Sequence, residues 1–354
     1  MAVEKPMEPS DILLMMGDGA EPELDIEMEV PEELDALEVV MDDGSVVIEF
    51  GQSTDIEEEV AHDDNLAEYI DDDELEVIAN DLIDHFSSDR ESRSEWANAY
   101  IKGMDLLGMK VEERTEPWNG ASGVYHPMMT EAVIKFQAQA MGELLPASGP
   151  VRSKIVGKMT PEKIEQAQRV ETELNYLITE KMPDYRDEME QMLFKLPMAG
   201  SAFKKIYFDP ITERPVSQFI PAEDLVVSYG ASNLRTAPRF THVMKRTPEE
   251  ILKLQVNGFY RDVELPTATK EITDIEEKYN ELEGSEDTFS DDPRHTLLEM
   301  HVDLDLPEPF DDVDGVALPY VVTIDKSSST ILAIRRNWYE EDMKREKRMH
   351  VVHF

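Results

Sequence analysis

One apolar stripe marks the most regular part of this chain, between Pro127 and Leu145. Apolar side chains recur there every three or four residues, which is the spacing of one face of an α-helix. Pro127 suits the first helical turn because its missing N–H would have no intrahelical partner there, and Pro146 ends the pattern. The spacing predicts a surface helix that packs on a core through five residues: Met129, Val133, Phe136, Ala140 and Leu144.

Similar periodicity on both sides of this stripe predicts a helical region over most of residues 65–198. One helix starts near Asp73 and has acids in its first turn, where the helix dipole favours them. Ser94 is suited to cap the next helix, and Thr160 followed by proline opens another. A last helix surrounds residues 189–196.

From Ser201 onwards the pattern changes to short alternating runs, which predict strands. Thr247 and Glu250 have the spacing of a capping box for one helix among them. Residues 261–293 are acidic and punctuated by turn-forming residues, as in an exposed loop with a helical segment. Helices followed by strands predict an α+β fold. The predicted strands are 201–209, 215–220, 224–228, 240–245, 296–304, 318–325 and 330–335.

The N-terminal quarter is distinguished by its charge. Residues 1–89 contain 31 acids and one base, so they carry −30 of the formal net charge of −44. Like-charge repulsion and scattered prolines predict an acidic, mostly disordered arm over residues 1–64. Within it, Val39-Val40-Met41 and Val46-Val47-Ile48 flank Asp42-Asp43-Gly44, which predicts a local hairpin.

Composition excludes several classes of protein. The chain has no cysteine, which excludes disulfides and thiolate metal sites. Its N-terminus lacks the layout of a signal peptide, and no run approaches the roughly 20 apolar residues of a membrane span. So large an acid excess argues against general nucleic-acid binding, because phosphate contacts come from Lys and Arg. A soluble protein of the cytoplasm or of a particle is expected.

No motif in the chain predicts catalysis, a cofactor or a specific metal site. Ser201 and Lys204 match the S-x-x-K of penicillin-binding serine enzymes, but the companion motifs are missing and a strand would place the two side chains on opposite faces. Residues 311–315 (DDVDG) resemble a calcium loop, yet Val321 stands where such a loop needs Glu.

Clustered bases provide the candidate contact residues. In so acidic a chain, they are better suited to ion pairs with a neighbouring subunit than to a DNA groove. The candidates for contacts with another subunit or a partner are the bases Lys204, Lys205, Arg335 and Arg336, together with Trp338.

Five stretches carry a resemblance to a known family by their order and spacing. They are residues 95–108 (EWANAYIKGMDLLG), 115–152, 190–209 (EQMLFKLPMAGSAFKKIYFD), 219–239 (FIPAEDLVVSYGASNLRTAPR) and Arg336-Asn337-Trp338. Together they resemble the portal protein of tailed bacteriophages, of the kind found in short-tailed phages. The resemblance covers about residues 65–354, and no single stretch is diagnostic alone.

The resemblance implies a non-enzymatic ring, usually of twelve copies, at the unique vertex of the capsid. Such a ring nucleates head assembly, docks the terminase large subunit, passes double-stranded DNA through its channel without sequence-specific binding, and attaches the tail. The expected partners are other copies of the chain, the major capsid and scaffolding proteins, and tail or adaptor proteins, with no membrane. The expected location is the virion, after synthesis in the cytoplasm of the host bacterium.

The same resemblance divides the chain into regions. Residues 65–246 correspond to an α+β wing, residues 247–293 to a stem-proximal helix and an acidic loop, and residues 294–354 to a clip-like β region. The second stem helix and the parts that follow it in the family are not in this sequence. Residues 350–354 are an apolar run without a terminating signal, which predicts a chain that is cut before that helix.

Two other classes of function remain open from the sequence. One is an acidic interaction protein, a scaffold or DNA mimic, which binds basic partners through residues 1–89. The other is a metal-dependent hydrolase that uses an acid cluster such as Asp71-Asp72-Asp73, although most acid runs are simply solvated.

Overall fold

The chain separates into two units, Met1–Glu59 and Val60–Phe354. The computed structural model describes residues 60–107, 116–123, 126–209, 212–268, 272–284, 294–306, 310 and 315–354, and the backbone of residues 37–40 and 46–49. Among the described helices, none is both long and apolar enough to cross a bilayer.

The first unit contains a two-stranded antiparallel hairpin. Its strands are β1 (Leu37–Val40) and β2 (Val46–Glu49), and Val39 pairs with Val47. The predicted hairpin is therefore confirmed. The remainder of the predicted arm, up to residue 59, lies outside the described residues.

The second unit is an α+β body, as the sequence predicts, and its described part holds seven helices and eight strands. Its first half is helical. The helices there are α1 (Asp72–Ser92), α2 (Ser94–Leu107), α3 (Met128–Leu144), α4 (Pro161–Tyr176), which continues as a π-helix (Leu177–Lys181), and α5 (Tyr185–Ala199). A short 3-10 helix, Leu66–Glu68, precedes them.

Two antiparallel sheets form the second half. The larger has five strands in sequence order, so each strand pairs with the next along the chain. In the smaller, the last strand of the chain returns to pair with the first strand of a hairpin. The strands are β3 (Phe203–Asp209), β4 (Arg214–Ile220), β5 (Leu225–Val227), β6 (Arg239–Arg246), β7 (His295–Leu304), β8 (Leu318–Asp325), β9 (Thr330–Arg336) and β10 (Val351–His353).

The largest core lies between α1 and one face of the five-stranded sheet. Leu75, Ala79, Leu82 and Phe86 recur along one side of α1 and are all buried, together with sheet residues such as Met300. Burial of a large apolar side chain stabilises the fold by roughly 1.5–3 kcal/mol. The opposite face of this sheet packs against α6 (Pro248–Val256).

The smaller sheet has helices α2 and α5 on its surfaces. Tyr100 and Met104 of α2 pack with Phe203 and Ile220. In a neighbouring cluster, buried methionine and leucine side chains of α5 contact Phe219. The last helix of the body, α7 (Asp274–Glu283), also packs against α2.

The predicted division into arm, wing-like, stem-proximal and clip-like regions stays a prediction, and two structural observations bear on its boundaries. The body begins at Val60 rather than Asn65, because residues 61–63 bond to β9 and the segment after it. Strand β6 lies in the predicted wing-like region, and it pairs along its length with β7 of the predicted clip-like region. The predicted boundaries at residues 246 and 294 therefore lie between neighbouring strands of one sheet.

The central helix has the predicted span but not the predicted packing. Of the five stripe residues, only Val133 is buried, whereas Phe136 and Leu144 are 43% and 48% exposed. Helix α5 packs against one side of α3, near Ala140. The prediction of a stripe packed on a core is wrong for Phe136 and Leu144, because no described element of the chain covers them.

Candidate functional site

Lys204, a predicted contact residue, is buried in the body. Its ammonium lies 4.2 Å from the centre of the Tyr185 ring, and the side chain is 2% exposed. Burial lowers the pKa of Lys204, although the nearby Glu188 carboxylate opposes this shift. A contact of this ammonium with another subunit would require the β3 region to open, so the structure moves Lys204 from the predicted surface to the interior.

Lys205 joins the two sheets. It points from β3 to Glu299 on β7, with 2.6 Å between its Nζ and Oε1 of the carboxylate. Both side chains are largely buried. Burial by itself would raise the pKa of Glu299, but the Lys205 ammonium and a hydrogen bond from His301 outweigh it and hold that pKa well below its usual range. Lys205 therefore has its ionic partner within the chain.

Three histidines surround this ion pair. The His301 ring stacks on Phe240 with 4.4 Å between ring centres, and the centre of the His350 ring lies 6.2 Å from that of His301. His242 is paired with Glu299 across β6 and β7. Burial lowers the pKa of His301 and brings the pKa of both His242 and His350 to about 4. At neutral pH the cluster therefore holds uncharged imidazoles around one Lys–Glu pair.

The remaining predicted contact residues also bond within the chain. Arg335 donates to the carbonyl oxygen of Phe259 at 2.9 Å, and Arg336 donates to that of Ala61 at 3.0 Å. Trp338 is 5% exposed and packs edge-on against Tyr320. These three residues hold the start of the body against β9. Their predicted contact with a second subunit stays a prediction, and for Trp338 the burial argues against it.

Two sets of side-chain hydrogen bonds within the body were not predicted from the sequence. Arg93, at the end of α1, donates to the carbonyl oxygens of Ala222 and Leu225 at 2.8 and 2.9 Å. Asp89 accepts two hydrogen bonds from Arg239, at 2.7 and 2.9 Å. Each partner lies more than 100 residues away along the chain, and no local pattern signals such pairs.

Many of the exposed apolar residues of the body lie on α3, α4 and the segment between them. Helix α4 has no buried residue and makes no extensive contact with any described helix or strand other than its own π-helical continuation. Val156 and Met159, in the preceding segment, are 88% and 70% exposed. We call these three segments together the helical layer. Its large exposed apolar residues are Met128, Ile134, Phe136, Leu144, Val156, Met159, Ile164, Val170, Leu174 and Tyr176.

The helical layer is ordered although the body does not bury it. The side chain of Asn175 on α4 accepts a hydrogen bond from the N–H of Val151 and donates one to its carbonyl oxygen, both at 3.0 Å. The Glu171 carboxylate accepts from the N–H and the hydroxyl of Ser153 at 3.0 and 2.8 Å. The extended residues 151–153 are thus fixed along α4.

The described residues contain no group of three or more His, Asp or Glu side chains placed to hold a metal ion. In that part of the chain, Asp72 of the acid cluster instead bonds Arg261 at 2.7 Å. Comparison with protein-family models and with curated protein sequences returns no match. The candidate site is therefore defined by geometry alone, as the helical layer.

Proposed function

We propose that this chain is a portal subunit of a tailed bacteriophage, one copy of a ring at the capsid vertex. The ring nucleates head assembly, docks the terminase motor, forms the channel through which the genome is packaged and ejected, and attaches the tail. The proposal starts from the five stretches whose order and spacing resemble that family. It assigns the chain no enzymatic activity.

The observation that supports this proposal best is the helical layer. Single exposed apolar residues are normal on a monomer, whereas many of them on the same elements commonly mark contacts with other proteins. Here α4 is a complete amphipathic helix whose apolar positions are at least partly exposed along its whole length. A ring supplies the missing cover, because each subunit presents one surface to a different surface of the next.

Electron microscopy of the purified protein in negative stain tests the proposal. We expect rings with a central hole and about twelve-fold symmetry, as the family resemblance implies. Particles of monomer size only, at micromolar protein concentration, would contradict it.

The acidic N-terminal unit favours a second candidate function, an interaction or DNA-mimic protein that binds basic partners. Residues 1–59 contain 20 acids and one base. Deletion of these residues separates the two candidates. A portal subunit retains its ring when residues 1–59 are removed, whereas a mimic loses its basic partner and has no ring to lose.

A further inference from the structure

The helical layer combines exposed apolar side chains with positive charge. Residues 151–163 contain four bases, Arg152, Lys154, Lys158 and Lys163, against one acid, Glu162. The chain as a whole has a net charge of −44. This segment, which we call the basic segment, is therefore a positive stretch on a protein that is otherwise strongly negative.

The outer side of α1 has the opposite character. Its acids stand around Val77, which is 70% exposed, while the other side of the helix packs on the sheet. The spacing of three to four residues places these side chains on one helical face. We call it the acidic face, and it consists of Asp73, Glu76, Val77, Asp81 and Asp84, all exposed.

We propose that the basic segment of one copy docks against the acidic face of α1 in a second copy. The inference rests on the proposed ring, since it states which surfaces of neighbouring subunits meet. Each surface has exposed apolar residues among its charges, and the prevailing charge is positive on the basic segment and negative on the acidic face. Charge complementarity of this kind sets orientation and excludes like-charged alternatives.

The two surfaces are different parts of the chain, so the contact repeats from copy to copy rather than closing as a symmetric pair. Hydrogen bonds from the backbone N–H groups of Val151 and Ser153 to Asn175 and Glu171 hold the first residues of the basic segment in place before any contact forms. Such preorganisation reduces the entropy that association costs.

Reciprocal charge reversal in the full chain tests this contact. The first variant carries Lys154→Glu, Lys158→Glu and Lys163→Glu, and the second carries Glu76→Lys, Asp81→Lys and Asp84→Lys. We expect each set alone to weaken self-association at least about tenfold in sedimentation velocity. The two sets combined leave the net charge unchanged, and we expect them to restore association to within a few-fold of the wild type.

A matched control changes three exposed bases elsewhere: Lys102→Glu, Arg235→Glu and Lys253→Glu. It alters the net charge as much as the first variant does, so it separates a specific contact from general repulsion. Circular dichroism of every variant checks that the fold is retained.

The outcomes distinguish this inference from the proposed function. If the wild type forms rings and the first variant behaves like the control, the docking inference is wrong and the portal proposal stands. If the charge sets act reciprocally but the particles are not rings, the contact is real and the portal proposal is wrong. A wild type that stays monomeric contradicts both.

Discussion

The five-stranded sheet and the helical layer use the same kinds of apolar residue with opposite results. Along β7 and β8, apolar side chains reach almost complete burial against α1. Along α4, equally apolar positions are left half exposed, and none is buried. The sheet and α1 bury each other's apolar side chains within one chain. The apolar positions of α4 have no comparable cover from the described part of the chain. A second copy of the chain supplies that cover in the proposed ring.

Truncation of one apolar side chain in each region should give the largest difference in stability between the two regions. Ile324 in β8 is 0% exposed, and Ile324→Ala is expected to lower the free energy of unfolding by about 2–5 kcal/mol, because a cavity remains. Ile164→Ala in α4 removes the same atoms from a side chain that is 43% exposed. We expect that variant to change stability by less than about 1 kcal/mol. Equal losses in urea denaturation would refute the contrast.

The ion pairs of the two regions also differ in burial, so their removal should cost different amounts of stability. Glu299→Gln leaves the Lys205 ammonium without its counter-charge between the sheets, and we expect a loss of about 2–4 kcal/mol. Lys135 and Glu131 form an exposed pair on α3. Lys135→Met should cost less than about 0.5 kcal/mol. Urea titrations of both variants give their free energies of unfolding. A loss of only a few tenths of a kcal/mol for Glu299→Gln would show that the pair does not join the sheets.

Acid should weaken the sheet region through its buried histidines. The pKa of His242 is about 4 in the fold against an ordinary 6.5, so the unfolded chain binds this proton first as the pH falls. Stability is therefore lost between about pH 6.5 and 4, on the order of 1–3 kcal/mol from this residue. Asp224 acts in the opposite direction, because burial raises its pKa to about 7 and the fold takes up that proton first.

The variant His242→Gln isolates this contribution. Its free energy of unfolding should depend less steeply on pH than that of the wild type over the same window. His126→Gln, at an exposed position, is the control and should retain the wild-type slope. Identical slopes for all three proteins would contradict the role of His242.

Removal of a helix cap should give the smallest difference in stability between the two regions. Thr247 accepts from the N–H of Glu250, and the Glu250 carboxylate accepts from the N–H of Thr247, so α6 has a complete capping box. Thr247→Ala should cost about 1 kcal/mol of global stability. Thr160 caps α4 by accepting from the N–H of Lys163, without a reciprocal bond. Thr160→Ala should instead speed amide hydrogen exchange in the first turn of α4, with little change in the free energy of global unfolding. A global loss for Thr160→Ala would mean that α4 is part of the cooperative core.

The sequence predicts the local features of this fold well. The strand positions, the capping box at Thr247 and the hairpin at residues 37–49 follow from short-range patterns, and the structure confirms them. The Lys205–Glu299 pair and the Arg93 contacts could not be predicted, because their partners come from remote parts of the chain. The predicted packing of Phe136 and Leu144 on α3 is wrong for a different reason. A helical apolar stripe has the same period whether it faces its own core or another molecule.

The central claim is that the helical layer is covered by another copy of the chain. Sedimentation velocity of Ile164→Gln combined with Val170→Gln tests it most directly. Leu252→Gln combined with Val256→Gln on α6 is the control, at apolar positions that are more exposed than those on α4. Gln is a good helix former, so both helices are retained. The account predicts that the α4 variant loses self-association at an unchanged urea midpoint while the control assembles normally. Normal assembly of the α4 variant would contradict it.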